Sequence, residues 1–101
     1  MTRKVGNTLY QGNDESIVYS IKTTSWGSTP VVVAVKAYDV TGGTREDVTD
    51  TVLSGSSSVD GDVITLPAVG GLTPGKMYRI EVQFTSGGNT FEPYIEIIAE
   101  Y

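Results

Sequence analysis

Residues 72–99, LTPGKMYRIEVQFTSGGNTFEPYIEIIA, decide the fold of this chain. From residue 78 to 84, apolar and polar residues alternate, which is the two-residue period of a strand with one face in a core and the other in water. The SGGN sequence at 86–89 supplies residues that tolerate a positive φ, so it predicts a tight reversal. Ile95, Ile97 and Ala99 would continue the buried face on the return strand. The stretch therefore predicts an antiparallel hairpin.

Pro93 in the second strand of this hairpin cannot donate to a sheet ladder, because it has no N–H. It predicts either that this strand lies at a sheet edge, or that Pro93 starts the strand or sits at a bulge. A weak strand over residues 3–11 is the other predicted edge. Edges expose N–H and C=O groups that a neighbouring chain can pair with. The candidate interaction surface consists of Trp26, Pro93 and Tyr94.

The residues Leu72, Pro74, Gly75 and Tyr78 form a turn followed by an early-strand tyrosine. Proline presets the first turn angle and glycine takes the second. The tyrosine can bury its ring and return its hydroxyl to the backbone upstream, which is the tyrosine corner of Greek-key sandwiches. This spacing resembles the connection between strands E and F of fibronectin type III domains. The only tryptophan, Trp26, follows the second predicted strand, in a predicted loop that ends at Pro30, instead of standing in strand B.

The rest of the chain also has strand periodicity. Residues 17–23 alternate, and 31–38 are mostly β-branched, which predicts a central strand covered on both faces in its first half. Residues 48–53 predict a short or bulged strand, and 59–66 carry an Asp-Gly hairpin signal. About seven strands with turns between them predict an all-β, Ig-like or fibronectin type III-like, two-sheet antiparallel sandwich, with residues 1–101 as a single domain.

Composition excludes several classes of function. The chain has 101 residues, no histidine, no cysteine and a net charge of -5. Without histidine or cysteine, Ser-His-Asp and Cys-His catalysis, haem ligation and the usual zinc sites are excluded. The negative charge argues against a nucleic-acid partner, which would call for clustered basic residues. The sequence predicts no enzyme, no catalytic residue, no cofactor and no metal.

Acidic residues in the turns leave a calcium site as a minor alternative. Calcium takes several carboxylate and carbonyl oxygens from a loop, but no EF-hand or repeat-type spacing is present. Acidic residues in β turns are more often solvated turn formers. The candidate ligands are Asp39, Glu46, Asp47, Asp50, Asp60 and Asp62.

Aromatic residues offer a second alternative, a sugar-stacking platform. Tyrosine and tryptophan are also common in cores and interfaces, so the sequence favours core or interface packing over sugar stacking. Trp26 is the residue most worth testing for sugar binding. The full set is Tyr10, Tyr19, Trp26, Tyr38, Tyr94 and Tyr101.

The segment from Asp47 to Glu100 carries a family resemblance. Its turn and core residues include Asp47-Val48-Thr49, Ile64-Thr65-Leu66-Pro67-Ala68, the FTSGGN turn at 84–89 and Phe91-Glu92. This run resembles small proteins encoded among the virion genes of tailed bacteriophages and prophages. The resemblance implies a structural or accessory part of the particle, at the head-tail junction, tail or capsid surface. It assigns no functional residue.

The predicted function is therefore a non-enzymatic structural or assembly protein of a phage or prophage particle that acts through protein-protein contacts. Its predicted partners are other virion proteins or further copies of itself. The alternative is a carbohydrate- or cell-surface-binding sandwich module. The first residues, MTRKVGNT, are not followed by an apolar run, so the sequence predicts no signal peptide and no membrane span. The expected location is the virion, assembled in the host cytoplasm.

Overall fold

Eleven strands and one short helix form the secondary structure of residues 2–101, the part of the chain that this computed structural model describes. A 3-10 turn at Thr41–Gly43 and the helix α1 (Thr49–Val52) interrupt the strands. The strands are β1 (Thr2–Lys4), β2 (Leu9–Gly12), β3 (Ser20–Lys22), β4 (Val31–Asp39), β5 (Glu46–Asp47), β6 (Leu53–Ser54), β7 (Ser58–Asp60), β8 (Val63–Thr65), β9 (Ala68–Val69), β10 (Met77–Ser86) and β11 (Asn89–Glu100).

The predicted C-terminal hairpin is the centre of the main sheet. This sheet has six strands in the order β1-β11-β10-β4-β5, with β2 also paired to β11. β10 and β11 are antiparallel in the register Ser86↔Asn89, and both Gly87 and Gly88 have a positive φ. Two consecutive positive φ angles give the turn the twist that a two-residue hairpin needs. The prediction of an all-β fold with this hairpin at its core is confirmed.

The N-terminal strands correct the prediction about Pro93. β1 and β2 both pair with β11 in parallel, with Arg3 opposite Pro93 and Leu9 opposite Ile97. β11 is therefore not an edge strand, and Pro93 lies in its interior. On the other side, Pro93 falls in a gap in the ladder between β10 and β11, where no N–H is needed. The main sheet is therefore mixed, since these two parallel pairs join the antiparallel pairs that the sequence predicts.

Two smaller sheets cover one face of the main sheet. One has the order β3-β8-β7, and its β7-β8 hairpin turns at Gly61 as the Asp-Gly signal predicts. The other pairs β6 with β9. The alternation over residues 17–23 is present in the burial of the chain, but only Ser20–Lys22 forms a strand, and Ile17 adds a single bridge to Val69.

The strand predicted over residues 48–53 is largely the helix α1, so that prediction is wrong. The Asp47 carboxylate accepts hydrogen bonds from the N–H of Thr49 at 3.0 Å and from its hydroxyl at 2.7 Å. The N–H groups of Thr51 and Val52 then bond to the carbonyl of Val48. An acidic side chain that accepts an N–H two residues ahead starts a turn and competes with the extended conformation.

The apolar core lies between the main sheet and the two smaller sheets. Tyr78, Ile80, Val82 and Phe84 on β10 are at most 3% exposed, which agrees with the predicted inward face. From residue 91 onwards, β11 contributes its odd-numbered residues, and Pro93 is buried with them. The remaining buried apolar residues are Ile21, Ala37, Val52, Ile64, Leu66, Val69 and Leu72, with Ile95, Ile97 and Ala99 from β11.

Candidate functional site

The edge of the main sheet at β4 differs from what the sequence predicts. β5 pairs only with Tyr38 and Asp39, so among the described residues no strand lies beside residues 31–36 on that side. Val31 and Val33 are 61% and 57% exposed. The prediction that the first half of this strand is covered on both faces is therefore wrong.

A bulge in β4 explains the exposure of these valines. Ala34 pairs with Gln83 and Val32 pairs with Phe84, so Val33 is an extra residue that has no counterpart on β10. An extra residue shifts the alternation of side chains along a strand. Val32 and Val35 consequently pack against the core, while Val31 and Val33 face water.

The free edge ends at Ala37, where other groups replace a neighbouring strand. The N–H of Ala37 donates to Thr49 Oγ1 at 3.0 Å, and its carbonyl accepts the N–H of Val48 at 2.9 Å. Beside this end lies an open groove of about 490 Å³ lined by Val35, Lys36 and residues 47–51. The backbone N–H and then the hydroxyl of Thr49 lower the pKa of Asp47, so this carboxylate is charged at neutral pH.

The outer face of the main sheet carries a second polar arrangement. Glu81, 6% exposed, accepts a hydrogen bond from Arg45 Nη2 at 3.0 Å, and its other oxygen lies 3.8 Å from Arg79 Nη1. Arg45 stacks over Tyr38 at 4.1 Å and Arg79 over Tyr94 at 4.0 Å. These stacks fix both guanidinium groups on the sheet surface.

A shallow cleft of about 150 Å³ lies beside this network. Its polar lining combines Lys36, Arg45, Gln83 and Glu92 with the buried Glu81. A hydrogen bond to Tyr38, and then the charges of Glu81 and Glu92, raise the pKa of Arg45. The cleft therefore offers fixed donors and acceptors of both signs.

The three residues of the predicted interaction surface do not come together. Pro93 is buried on the core side of β11, and Tyr94 lies half-buried on the opposite face beneath Arg79. Trp26 is in the predicted loop, but its ring packs against the core, 6.1 Å from the ring of Phe84. The surface that presents apolar side chains at a free edge is instead Val31 and Val33, which sequence reasoning assigned to the interior.

The four residues of the predicted tyrosine corner meet at one place. Gly75 has a φ of 85°, and the N–H of Lys76 donates to the carbonyl of Thr73 across the turn. Leu72 is buried in the core. The hydroxyl of Tyr78 accepts the N–H of Thr73 at 2.9 Å. These contacts join the turn to the start of β10.

Gln11 is a buried polar residue that sequence reasoning missed. It is 0% exposed, and its amide nitrogen donates to the carbonyls of Val69 at 2.7 Å and of Glu15 at 3.0 Å. Its amide oxygen accepts the hydroxyl of Tyr19 at 2.8 Å. Gln11 thereby joins β2 to β9 across the sandwich. No sequence signal separates this glutamine from one at the surface.

The described residues 2–101 bring no three carboxylate, histidine or cysteine side chains together as a metal site. Over the same residues, no helix has the length and apolar character needed to cross a membrane. The fold defines the class of the protein as an all-β sandwich. Comparison of the chain with protein-family models and with curated proteins found no match.

Proposed function

We propose that this chain is a non-enzymatic assembly protein of a tailed-bacteriophage or prophage particle, and that it acts through protein-protein contacts. The observation that carries the proposal is the free edge of β4, with Val31 and Val33 exposed beside it. Proteins that work alone usually cover or charge such an edge, because it pairs readily with other chains. The phage setting rests on the resemblance of the segment from Asp47 to Glu100.

We further infer that the sandwich is Ig-like. The order β3-β8-β7 in one sheet and β4-β10-β11 in the other supports the partition of strands B, E and D from strands C, F and G. The bond from the Thr73 N–H to Tyr78, just before β10, supports a tyrosine corner. An Ig-like sandwich leaves its sheet edges and loops for contacts, which suits a part of a particle.

Incorporation into particles tests the proposed function. The tagged chain is produced in bacteria that carry the phage or prophage genes encoding it, and particles are purified on a density gradient. We expect the chain to sediment with the particles in a fixed copy number, since a symmetric particle repeats one contact. A chain that stays entirely in the unassembled fraction contradicts the proposal.

Matched variants connect incorporation to the β4 edge. Lysine on an edge strand discourages pairing, so Val31→Lys with Val33→Lys should reduce incorporation by about tenfold. The control is Val18→Lys, because Val18 is 59% exposed and lies outside β4. Equal loss in both variants would point to a general effect of added charge rather than to the edge.

A second candidate is a carbohydrate-binding module, and the outer-face cleft is the observation that favours it. Gln83, Arg45 and Glu92 place an amide, a guanidinium and a carboxylate around one concavity, and planar groups of this kind can bond two neighbouring hydroxyls at once. Retention on immobilised polysaccharides, compared with that of Gln83→Ala, tests it. Retention that does not depend on Gln83 would remove the cleft from consideration.

A further inference from the structure

The main-chain groups of Val35 face away from the sheet. The N–H and C=O of Ala37 point outward, since they bond to Thr49 and Val48. Main-chain direction alternates along a strand, so Val35, two residues earlier, also directs its N–H and C=O outward. Residues 31–36 thus provide about 20 Å of strand edge, at about 3.3 Å per residue.

The end of this edge near Ala37 is negatively charged. Asp47 and Asp50 line the groove there, and both are exposed. Lys36 is the one cationic side chain in the same lining, which leaves a net charge of -1 on it. Opposite charges across an interface fix the register of a partner. An incoming strand would therefore place a basic residue at this end.

We infer that the free edge of β4 binds an extended segment of another protein, of about six residues, that runs antiparallel to β4. Its alternate apolar residues pack on Val31 and Val33, and a lysine or arginine at its N-terminal end lies beside Asp47 and Asp50. This inference rests on the proposed function, because it describes how the assembly contact is made. The bound segment lies in line with β5, which is itself antiparallel to β4, and the bond between Thr49 and Ala37 stops it from extending further.

A second copy of the chain fits this edge less well than a foreign strand. Two β4 edges paired about Val33 would place Val31 of one copy opposite Val35 of the other. Because of the bulge, Val31 faces water and Val35 faces the core, so these two side chains would lie on opposite faces of the joined sheet. Each copy would also bring a surplus of negative charge to the contact.

A synthetic peptide probe tests the inference on the intact chain. The probe is acetyl-Lys-Thr-Val-Thr-Val-Thr-amide, and its matched control has glutamate in place of lysine. Amide hydrogen exchange and NMR titration follow the N–H groups of β4. We expect slower exchange at Val35, shifts confined to the free edge, and about fivefold weaker binding of the glutamate peptide.

Substitutions in the chain test the apolar contact and the charge contact separately. Val31→Lys with Val33→Lys should abolish binding of the lysine peptide, while Val18→Lys should leave it unchanged. Asp50→Asn should reduce the difference between the two peptides without changing the fold, since Asp50 is exposed. An affinity for the lysine peptide that is unchanged by the β4 substitutions would overturn the inference.

The outcomes separate this inference from the proposed function. If the chain enters particles but neither peptide protects the amide of Val35, the strand-addition inference fails and the assembly function stands. If the lysine peptide binds at the edge but the chain never enters particles, the inference stands and the phage function fails. If the chain forms dimers in which the amide of Val35 is already protected, the occupant is a second copy and the inference is overturned.

Discussion

Thr49 Oγ1 lies 3.0 Å from the backbone nitrogen of Ala37 and accepts its N–H, so a helical residue takes the place of a strand at this point of the sheet edge. Thr49→Val removes the acceptor, and we expect a loss of about 1 kcal/mol in the free energy of unfolding. Chemical denaturation measures it. Thr51→Val, at an exposed position of the same helix, should change stability much less.

Tyr78→Phe should lower stability by about 1–2 kcal/mol, because it leaves the N–H of Thr73 without its acceptor while the ring remains in the core. The midpoint of urea unfolding measures this loss, provided that the free energy of unfolding depends on urea concentration with the same slope in both proteins. Tyr10→Phe is the matched control, since Tyr10 is 61% exposed. An unchanged midpoint for Tyr78→Phe would show that the hydroxyl bond adds nothing to stability.

Gln11→Ala should destabilise the protein by about 2–3 kcal/mol, because the hydroxyl of Tyr19 loses its acceptor and the carbonyl of Val69 keeps only the N–H of Ile17. Burial also raises the pKa of Tyr19, so its hydroxyl stays protonated at neutral pH and needs an acceptor. Thermal unfolding gives the change, with Gln83→Ala on the outer face as the control. Equal effects of the two variants would argue against a special role for the buried amide.

Trp26→Ala is expected to cost about 2–3 kcal/mol, because the ring packs against the core beside Phe84. From its position in a loop, the sequence predicts that this substitution spares the fold. Denaturant unfolding distinguishes the two expectations, and Tyr101→Ala, at a residue that is 99% exposed, serves as the control. Stability equal to that of the parent would restore Trp26 as a candidate contact residue.

Asp39→Asn should make stability less dependent on pH in the acid range. Burial alone would raise the pKa of Asp39, but hydrogen bonds from Thr41 and from Lys76, 3.1 Å away, outweigh it and lower the pKa. Because the folded-state pKa lies below the ordinary value of about 3.9, the carboxylate stabilises the fold above that pH and loses this effect as the pH falls through the lowered pKa.

The variant should therefore be less stable than the parent by about 1–2 kcal/mol at pH 7. This difference in the free energy of unfolding should shrink as the pH falls from about 4 towards the lowered pKa of Asp39. Denaturant unfolding over a series of pH values measures it. Asp60→Asn, at the exposed end of β7, is the control. A difference that stays constant down to low pH would show that ionisation of Asp39 does not contribute.

The C-terminal hairpin was predictable because its alternation and its turn are local signals. Residues 78–84 repeat with a period of two, and Gly87 and Gly88 take the positive φ that the turn requires. The β7-β8 hairpin follows from the Asp-Gly signal for the same reason. In each case neighbouring residues carry the whole signal, so no contact distant in sequence has to be known.

The assignment of edges was not predictable, because it depends on which strands meet. Nothing in the composition of residues 2–12 indicates that β1 and β2 cover β11 in parallel. A run of valines in β4 has the composition of an interior strand, whereas its exposure follows from the bulge and from the shortness of β5. The free edge of β4 could therefore not be found from the sequence.

The single additional residue in β4 also has an evolutionary consequence. Loss of Val33 would remove the bulge and leave Val32 opposite Phe84 and Val31 opposite Thr85, as both are now, because the pairs on either side of the bulge already follow a regular ladder. A relative without this residue would keep the core side of the strand and lose one of the two exposed valines. The number of residues between Pro30 and Tyr38 would therefore show which relatives carry the second apolar contact.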